Sequence, residues 1–421
     1  MSTSSDSVAA ANAPSAPTST KFTRYELLVM VLLAVAHFTI VLDFMVLSPL
    51  SAILLDKLSI TTAQFGRVVS VYAFSAGFSG ILAATFADRF DRKRLLLVFY
   101  AGFILGTLLC GFAHDYTELL LARMVTGLFG GVMGSISFAI ITDLFPLERR
   151  GRVMGLVGMA FAASQVLGLP FGVYLATHYG WHSPFFLIVI LSLPVIGVVA
   201  WGLRPIDGHL ALQDSEPGWR RLWRTVSRAR YVRGFTATTL LASGGFMLMP
   251  FGSAFAVNNL GIDLDHLPMV YLVTGIATIF FGPMAGRMAD RHGKFRIFVI
   301  GSAISMLITA IYTHLGPTPL IAVIGLNVVM FAGITGRMVA AQTLVSAVPD
   351  ARERGAFMSV NSAVQQLSGG LSAMVAGWIV VQTPTGPIDR YGLLGWVVCL
   401  AMLVTIFLMR RIDRMVQADQ T

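Results

Sequence analysis

Ala87-Asp88-Arg89-Phe90-Asp91-Arg92-Lys93 and, half a chain later, Ala289-Asp290-Arg291-His292-Gly293-Lys294 are the stretches that decide the fold. Each lies between two long apolar runs, with its acid just past one run and its bases just before the next. A charged hairpin that recurs at half the chain length implies two related halves. Duplicated halves in a membrane are a common transporter plan.

The composition agrees. Of the 421 residues, 56% are hydrophobic and only 12% are charged, where a soluble chain would carry about 25% charge. The mean hydropathy is +0.75. Twelve apolar runs stand near 25–54, 62–86, 95–113, 117–142, 152–176, 184–203, 232–257, 267–287, 296–314, 319–342, 356–381 and 391–411. Each is long enough to cross a hydrocarbon core about 30 Å thick. They are continuously apolar rather than alternating, so they are helices and not barrel strands. The expected fold class is an all-α polytopic membrane protein with 12 transmembrane helices in two six-helix bundles.

The net charge of +9 could suggest nucleic acid, but its distribution argues against that partner. With both termini on the cytoplasmic side, cytoplasmic segments hold 25 of the 30 Lys and Arg residues. External loops hold Lys57 and Arg390, and Arg67, Arg123 and Arg337 fall within spans. This asymmetry is the positive-inside rule, so the basicity reports topology. A multi-pass protein of a bacterial inner membrane is expected, monomeric and surrounded by the lipid bilayer.

Five segments follow. Residues 1–24 form a cytoplasmic tail rich in Ser, Thr, Ala and Pro, of the composition that stays disordered. It lacks the basic start and short apolar core of a cleaved signal peptide, so the first helix is expected to be retained. Residues 25–203 form the first six-helix bundle, 204–231 the cytoplasmic inter-bundle loop, 232–411 the second bundle and 412–421 a cytoplasmic tail. Within the loop, Trp219-Arg220-Arg221-Leu222-Trp223-Arg224 reads either as an amphipathic helix at the membrane surface or as a basic linker. A second repeat supports the division: Pro146-Leu147-Glu148-Arg149-Arg150-Gly151 follows the fourth span and Pro349-Asp350-Ala351-Arg352-Glu353-Arg354-Gly355 follows the tenth.

Enzymatic signatures are missing from the sequence. It has no phosphate-binding G-x-x-x-x-G-K-[ST], no metal-spaced His cluster and no nucleophile elbow. Cys110 and Cys399 lie in apolar spans without disulfide or metal-ligand spacing. No enzyme, cofactor or metal is expected, and neither is transport powered by ATP on this chain.

From residue 24 onward the chain resembles the major facilitator superfamily, whose motif between helices 2 and 3 reads G-x-L-A-D-R-x-G-R-K. The second cassette follows it as Gly286-Arg287-Met288-Ala289-Asp290-Arg291-His292-Gly293-Lys294. The first departs, with Ala84 at the Gly position, Phe86 at the Leu and Asp91 at the second Gly, but keeps Asp88, Arg89, Arg92 and Lys93. An acid at such a bend can face the positive end of a neighbouring helix dipole. The resemblance implies that Asp88 faces the start of helix 11 near Gly355 and that Arg92 pairs with Asp143. Those contacts would hold the cytoplasmic side shut; topogenic charge alone is the alternative. Around Asp290 and Arg291 the same role is implied, although Lys294 has no obvious acidic counterpart of Asp143.

Helix 4 carries Arg123-Met124-Val125-Thr126-Gly127, similar to the family's R-x-x-x-G, whose Arg is associated with proton transfer in proton-coupled members. Helix 1 carries Asp43 six residues before Pro49, a pattern common among drug:proton antiporters of the superfamily. Burying either charge costs roughly 2.5–3.5 kcal/mol at a helix centre, so each needs a partner or a wet cavity. Asp43 lies about 16 Å from the outer end of its span and Arg123 about 9 Å from the outer end of its own, which lets them meet. Asp43 is therefore the expected proton acceptor, with a purely structural ion pair as the alternative. Helix 5 carries Gly168, Pro170 and Gly172 in a G-x-P-x-G pattern that resembles helix 5 of sugar- and drug-efflux members.

Other polar residues within spans are His37, Asn327, Arg337, Asn361, Gln365 and Gln366. Arg337 is assigned either to an anionic substrate group or to the cytoplasmic gate. Phe246, Phe251 and Phe255 line an apolar binding surface or face lipid. His37, Asp43, Arg123, Phe246, Phe251, Asn327 and Arg337 make up the expected substrate cavity. The leading reading is proton-coupled antiport, as efflux, of small amphipathic molecules or drugs by alternating access. The alternatives are a sugar or metabolite permease without proton coupling and, more remotely, a membrane sensor that transports nothing.

Overall fold

The computed structural model describes residues 22–208, 210, 218–350, 353–384 and 386–418. Most of the tail expected at 1–24 lies outside the described residues, as do the loop's acidic 211–217 stretch and Ala351 and Arg352. The helix α1 spans Arg24–Val46 and opens with a capping box in which Thr23 and Glu26 satisfy each other's backbone amides. It does not run on to residue 54. Pro49 brings no amide hydrogen and biases Ser48 away from helix, so the chain turns and resumes as a short helix, Ser51–Lys57.

The remaining long helices are α2 Thr62–Phe86, α3 Arg92–Phe112, α4 Tyr116–Leu144, α5 Glu148–Tyr179, α6 Ser183–Gly202, α7 Ala229–Asn258, α8 Leu267–His292, α9 Lys294–Tyr312 and α10 Leu320–Ser346. They are followed by α11 Arg354–Ile379 and α12 Tyr391–Ala418. Eleven of the twelve are both long and apolar enough to cross a membrane. The exception, α11, is interrupted by Ser359, Asn361, Gln365, Gln366 and Ser368. At about 1.5 Å per residue it is still about 39 Å long, which is sufficient. The last helix outruns its expected end at 411, because Ile412 and Val416 are buried against the α7 and α10 ends.

The helix contacts repeat with a shift of six. The pairs α3–α4, α2–α4, α1–α5, α1–α6 and α3–α6 recur as α9–α10, α8–α10, α7–α11, α7–α12 and α9–α12. Between the two sets, α2 runs along α11 and α5 packs on α8. Away from the chain termini the sets are bonded together. Ser48 donates to the Met249 carbonyl, Ser253 to the Pro49 carbonyl at 2.6 Å, and Thr62 to the Val380 carbonyl at 2.6 Å. Large apolar side chains cover the flanks, including Phe280 and Phe407, each 69% exposed, as a lipid-facing belt requires.

The two charged cassettes make their bends differently. Gly293 joins α8 to α9 as a one-residue turn at φ 93°, a conformation that favours glycine. The first cassette turns through a 3₁₀ segment, Ala87–Arg89, and Asp91 then caps α3 at φ −55°. No left-handed residue is needed there, which is why the departure from Gly at position 91 is tolerated. Gly293→Ala is therefore expected to destabilise the protein by about 1 kcal/mol or more, and Asp91→Ala only by the loss of a cap. Thermal unfolding of the two purified variants checks this.

The inter-bundle segment contains a helix, Gly218–Ser227, with Trp219 and Trp223 60% and 71% exposed. It leads into Arg228, which is bonded to Glu353 at the start of α11.

Candidate functional site

The buried charges of α1 and α4 meet. Arg123 Nη1 donates to Asp43 Oδ2 at 2.7 Å, and the two residues are 1% and 0% exposed. With α1 ending at Val46, Asp43 lies in its last turn, while Arg123 sits about two turns into α4. Thr107 of α3 donates to the other carboxylate oxygen at 3.3 Å. The Arg123 guanidinium lies 4.3 Å from the Tyr72 ring centroid on α2, a desolvated cation–π contact worth about 2 kcal/mol. Arg123 Nε has no hydrogen-bond partner among the described residues.

Four helices thus converge on one ion pair. A proton arriving at Asp43 would remove the charge that holds Arg123, leaving the guanidinium against the Tyr72 face. Such a site has two chemical states with different internal contacts, as proton coupling requires.

The glycine of the R-x-x-x-G motif builds this arrangement. A Cβ at Gly127 would stand 2.3 Å from the Tyr72 carbonyl oxygen, so only glycine lets α2 and α4 approach closely enough to place Tyr72 over Arg123. Gly127→Ala is expected to lose about 1–3 kcal/mol through the forced separation of the two backbones. A lowered unfolding midpoint with reduced folded yield is the result to look for.

The helix-5 motif presses on the segment that bears Asp43. Ser164–Gly168 forms a π-helical turn, a feature frequent at functional sites. Ser164 donates to the Phe38 carbonyl at 3.0 Å. A Cβ at Gly168 would lie 2.6 Å from Leu42 Cδ1, and one at Gly172 would lie 3.0 Å from Val46 Cγ2. Leu42 and Val46 flank Asp43 on α1, and Pro170 starts the helix beyond the π turn. A shift of α5 therefore acts directly on the acid's own turn.

At the end where residues 22 and 418 lie, Arg92 is 6% exposed and carries several contacts. It donates to Asp143 at 3.1 Å, to Asp88 at 3.0 Å and to the Ala87 carbonyl at 2.9 Å. Asp91, at the position where the family has Gly, accepts from the Lys93 and Ile206 amides, which ties the chain after α6 to this hairpin. Arg89 is exposed and Lys93 half-buried. In the second cassette Asp290 and Arg291 are exposed, and a Cβ at Gly286 would meet nothing within 4 Å. Asp290, Gly293 and Lys294 line a surface hollow together with Asp413 of α12. Asp413 was not singled out in the sequence, because an acid on a terminal helix carries no motif, and Glu353 stood in the second repeated turn without a partner to mark it.

The remaining expected cavity residues are scattered. Phe251 is fully buried against Phe65 at 5.7 Å between centroids, and Phe255 is buried against Tyr391 at 4.2 Å. Neither faces lipid or an open surface, because α7 is interrupted at 247–251 and its far segment turns inward on the short helix after α1. Phe246 is half-buried and packs on Phe44 at 5.8 Å. Asn327 donates to Val323 of its own helix at 2.9 Å. The His37 Nδ1 is buried without a hydrogen-bond partner among the described residues, and so is the Gln165 Oε1 of the π turn. Arg337 is 2% exposed among α7, α9 and α12.

Comparison with known proteins agrees with this architecture. A family model described as "Major Facilitator Superfamily" matches residues 33–373. The chain is 27% identical to the "Uncharacterized MFS-type transporter YceJ" of Bacillus subtilis, over 82% of this chain and 87% of that protein. It is 34% identical to "Multidrug resistance protein 3" of the same organism, over 41% of this chain and 32% of that one. Among solved structures, a D-xylose-proton symporter superposes with a TM-score of 0.74 at 16% identity, covering 90% of this chain and 97% of that one.

Proposed function

This chain belongs to the Major Facilitator Superfamily and is a multi-pass secondary transporter, and we propose that it exports small amphipathic molecules in exchange for protons. Asp43 takes up the proton and Arg123 is the cation that competes for the carboxylate. The two six-helix bundles rock about the membrane centre, with both termini cytoplasmic in a bacterial inner membrane and the protein acting as a monomer. The Arg92–Asp143–Asp88 cluster and the second cassette around Asp290 form the gate on the cytoplasmic side.

The observation that supports this most is the enclosed Asp43–Arg123 pair at 2.7 Å, held by residues of four helices. A buried ion pair is weak evidence for stability, since well-packed apolar residues often do as well or better. Ionisable residues within membrane spans commonly mark substrate and ion pathways. The partial similarity to a protein named for multidrug resistance points the same way. The π turn of α5 against α1 supplies a mechanical link between helix movement and the acid.

Proteoliposomes with an imposed proton gradient test the reading. A panel of cationic, anionic and neutral amphiphiles and sugars is added while luminal pH is followed. Proton movement on adding one class of amphiphile is the expected result. Substrate flux with no pH response would instead establish a permease without proton coupling.

A further inference from the structure

The two bundles differ in how they treat their buried arginine. Arg123 has its carboxylate, whereas Arg337 has no acid near it among the described contacts. Its neighbours are Gly244 of α7, Phe298 of α9 and Met402 of α12. The Phe298 ring centroid is 5.9 Å away, at the outer limit of a cation–π contact. Nε and Nη2 are enclosed and have no hydrogen-bond partner among the described residues. These two nitrogens form the edge of a guanidinium whose parallel N–H bonds match the two oxygens of a carboxylate or phosphate. An unpaired charge at this depth is costly, so its place in the fold calls for a counter-ion.

The cover over this fork is the backbone of α7. A Cβ at Gly244 would stand 3.1 Å from Nη1 and 3.5 Å from Nη2, so glycine lets the α7 backbone lie directly against the guanidinium. Open space borders the next residue, since a Cβ at Gly245 would meet nothing within 4 Å. The helix α7 loses its regular form just beyond, at 247–251, which gives this segment freedom to part from Arg337 when the bundles rock. On the other side Gly301 lets α9 touch the Arg337 backbone, where a Cβ would lie 2.7 Å from its amide nitrogen, and this fixes the arginine's root. A rigid root, apolar walls and a fork covered only by the α7 backbone at Gly244 describe a subsite that the parting of α7 opens to the charged head of an amphipath.

We propose that Arg337, framed by Gly244, binds the oxyanion of the substrate, so that the transported amphipaths are carboxylates or phosphate-type esters. This rests on the reading of the chain as an amphipath transporter and narrows it to anionic or zwitterionic substrates. It is independent of Asp43.

Binding of a dansylated undecanoate and of its uncharged amide to the full-length protein in nanodiscs, with no gradient, is the test. Wild type should bind the carboxylate at least about tenfold more tightly than the amide. Arg337→Gln should erase the preference, and Arg337→Lys should keep part of it, because an ammonium lacks the fork. Gly244→Ala should weaken the carboxylate and leave the amide unchanged. No preference in wild type, or a preference that survives Arg337→Gln, overturns the proposal. If Arg337→Gln does not fold, an unaltered preference in both Arg337→Lys and Gly244→Ala overturns it. Displacement of the probe by an equal concentration of inorganic phosphate would assign the fork to free anions and overturn its role toward substrate. Because binding is read without a gradient, a failure of proton coupling leaves this outcome untouched, and the reverse also holds.

Discussion

Asp43→Asn is expected to reduce proton-driven transport to the level of empty liposomes while leaving a folded protein that still exchanges substrate down its own gradient. The amide is nearly isosteric with the carboxyl. Its oxygen can take the place of Oδ2 and accept from Arg123 Nη1, which lies 2.7 Å away, while its NH2 faces the Thr107 hydroxyl and donates to it instead of accepting. What it cannot do is take up or release a proton. Substrate exchange without a pH gradient should stay within about threefold of wild type, because the alternation itself does not depend on the charge of residue 43. A purely structural pair would behave differently. Removing its charge would weaken the whole bundle, and coupled and uncoupled transport would fall together.

Arg123→Gln is expected to be the more damaging change to stability. It leaves the Asp43 carboxylate at 0% exposure with only Thr107 to meet it. Breaking a buried pair from one side typically costs about 3–5 kcal/mol. It also removes the cation from the Tyr72 face. The double variant Asp43→Asn with Arg123→Gln should be more stable than Arg123→Gln alone, since neutralising the acid removes the unpaired charge. Coupling energies between contacting residues of about 0.5–3 kcal/mol make such non-additivity measurable from unfolding midpoints. Additive losses would mean that the two side chains do not depend on each other, against the geometry.

Much of this architecture was legible in the sequence, and the reason is the solvent. A bilayer forces every backbone group to bond within its own segment, so length and apolarity alone mark the spans. Asp43 and Arg123 stood out for the same reason, as charges where charge is costly. Their partners did not. Tyr72 and Thr107 are ordinary residues in apolar helices, and only the close approach at Gly127 gives Tyr72 its place over the guanidinium. Breaks within spans were also hard to see. Pro49 ends α1 early, whereas Pro283 lies inside the continuous α8, so a proline alone does not say which outcome follows. The π turn at Ser164–Gly168 has no pattern of its own and shows only in its contact with Phe38 and Leu42. Phe251 reads in sequence as lining an apolar binding surface or facing lipid, and the loss of regular helix at 247–251 turns it inward instead.

The measurement that bears most directly on Asp43 as proton acceptor is infrared difference spectroscopy of the purified protein as pH is lowered. It needs no knowledge of the substrate. A carbonyl stretch from a protonated carboxyl should grow in wild type and be missing from Asp43→Asn. Spectra that are the same for the two proteins would mean that Asp43 remains the ionised partner of Arg123 throughout, and proton uptake at this site would be ruled out.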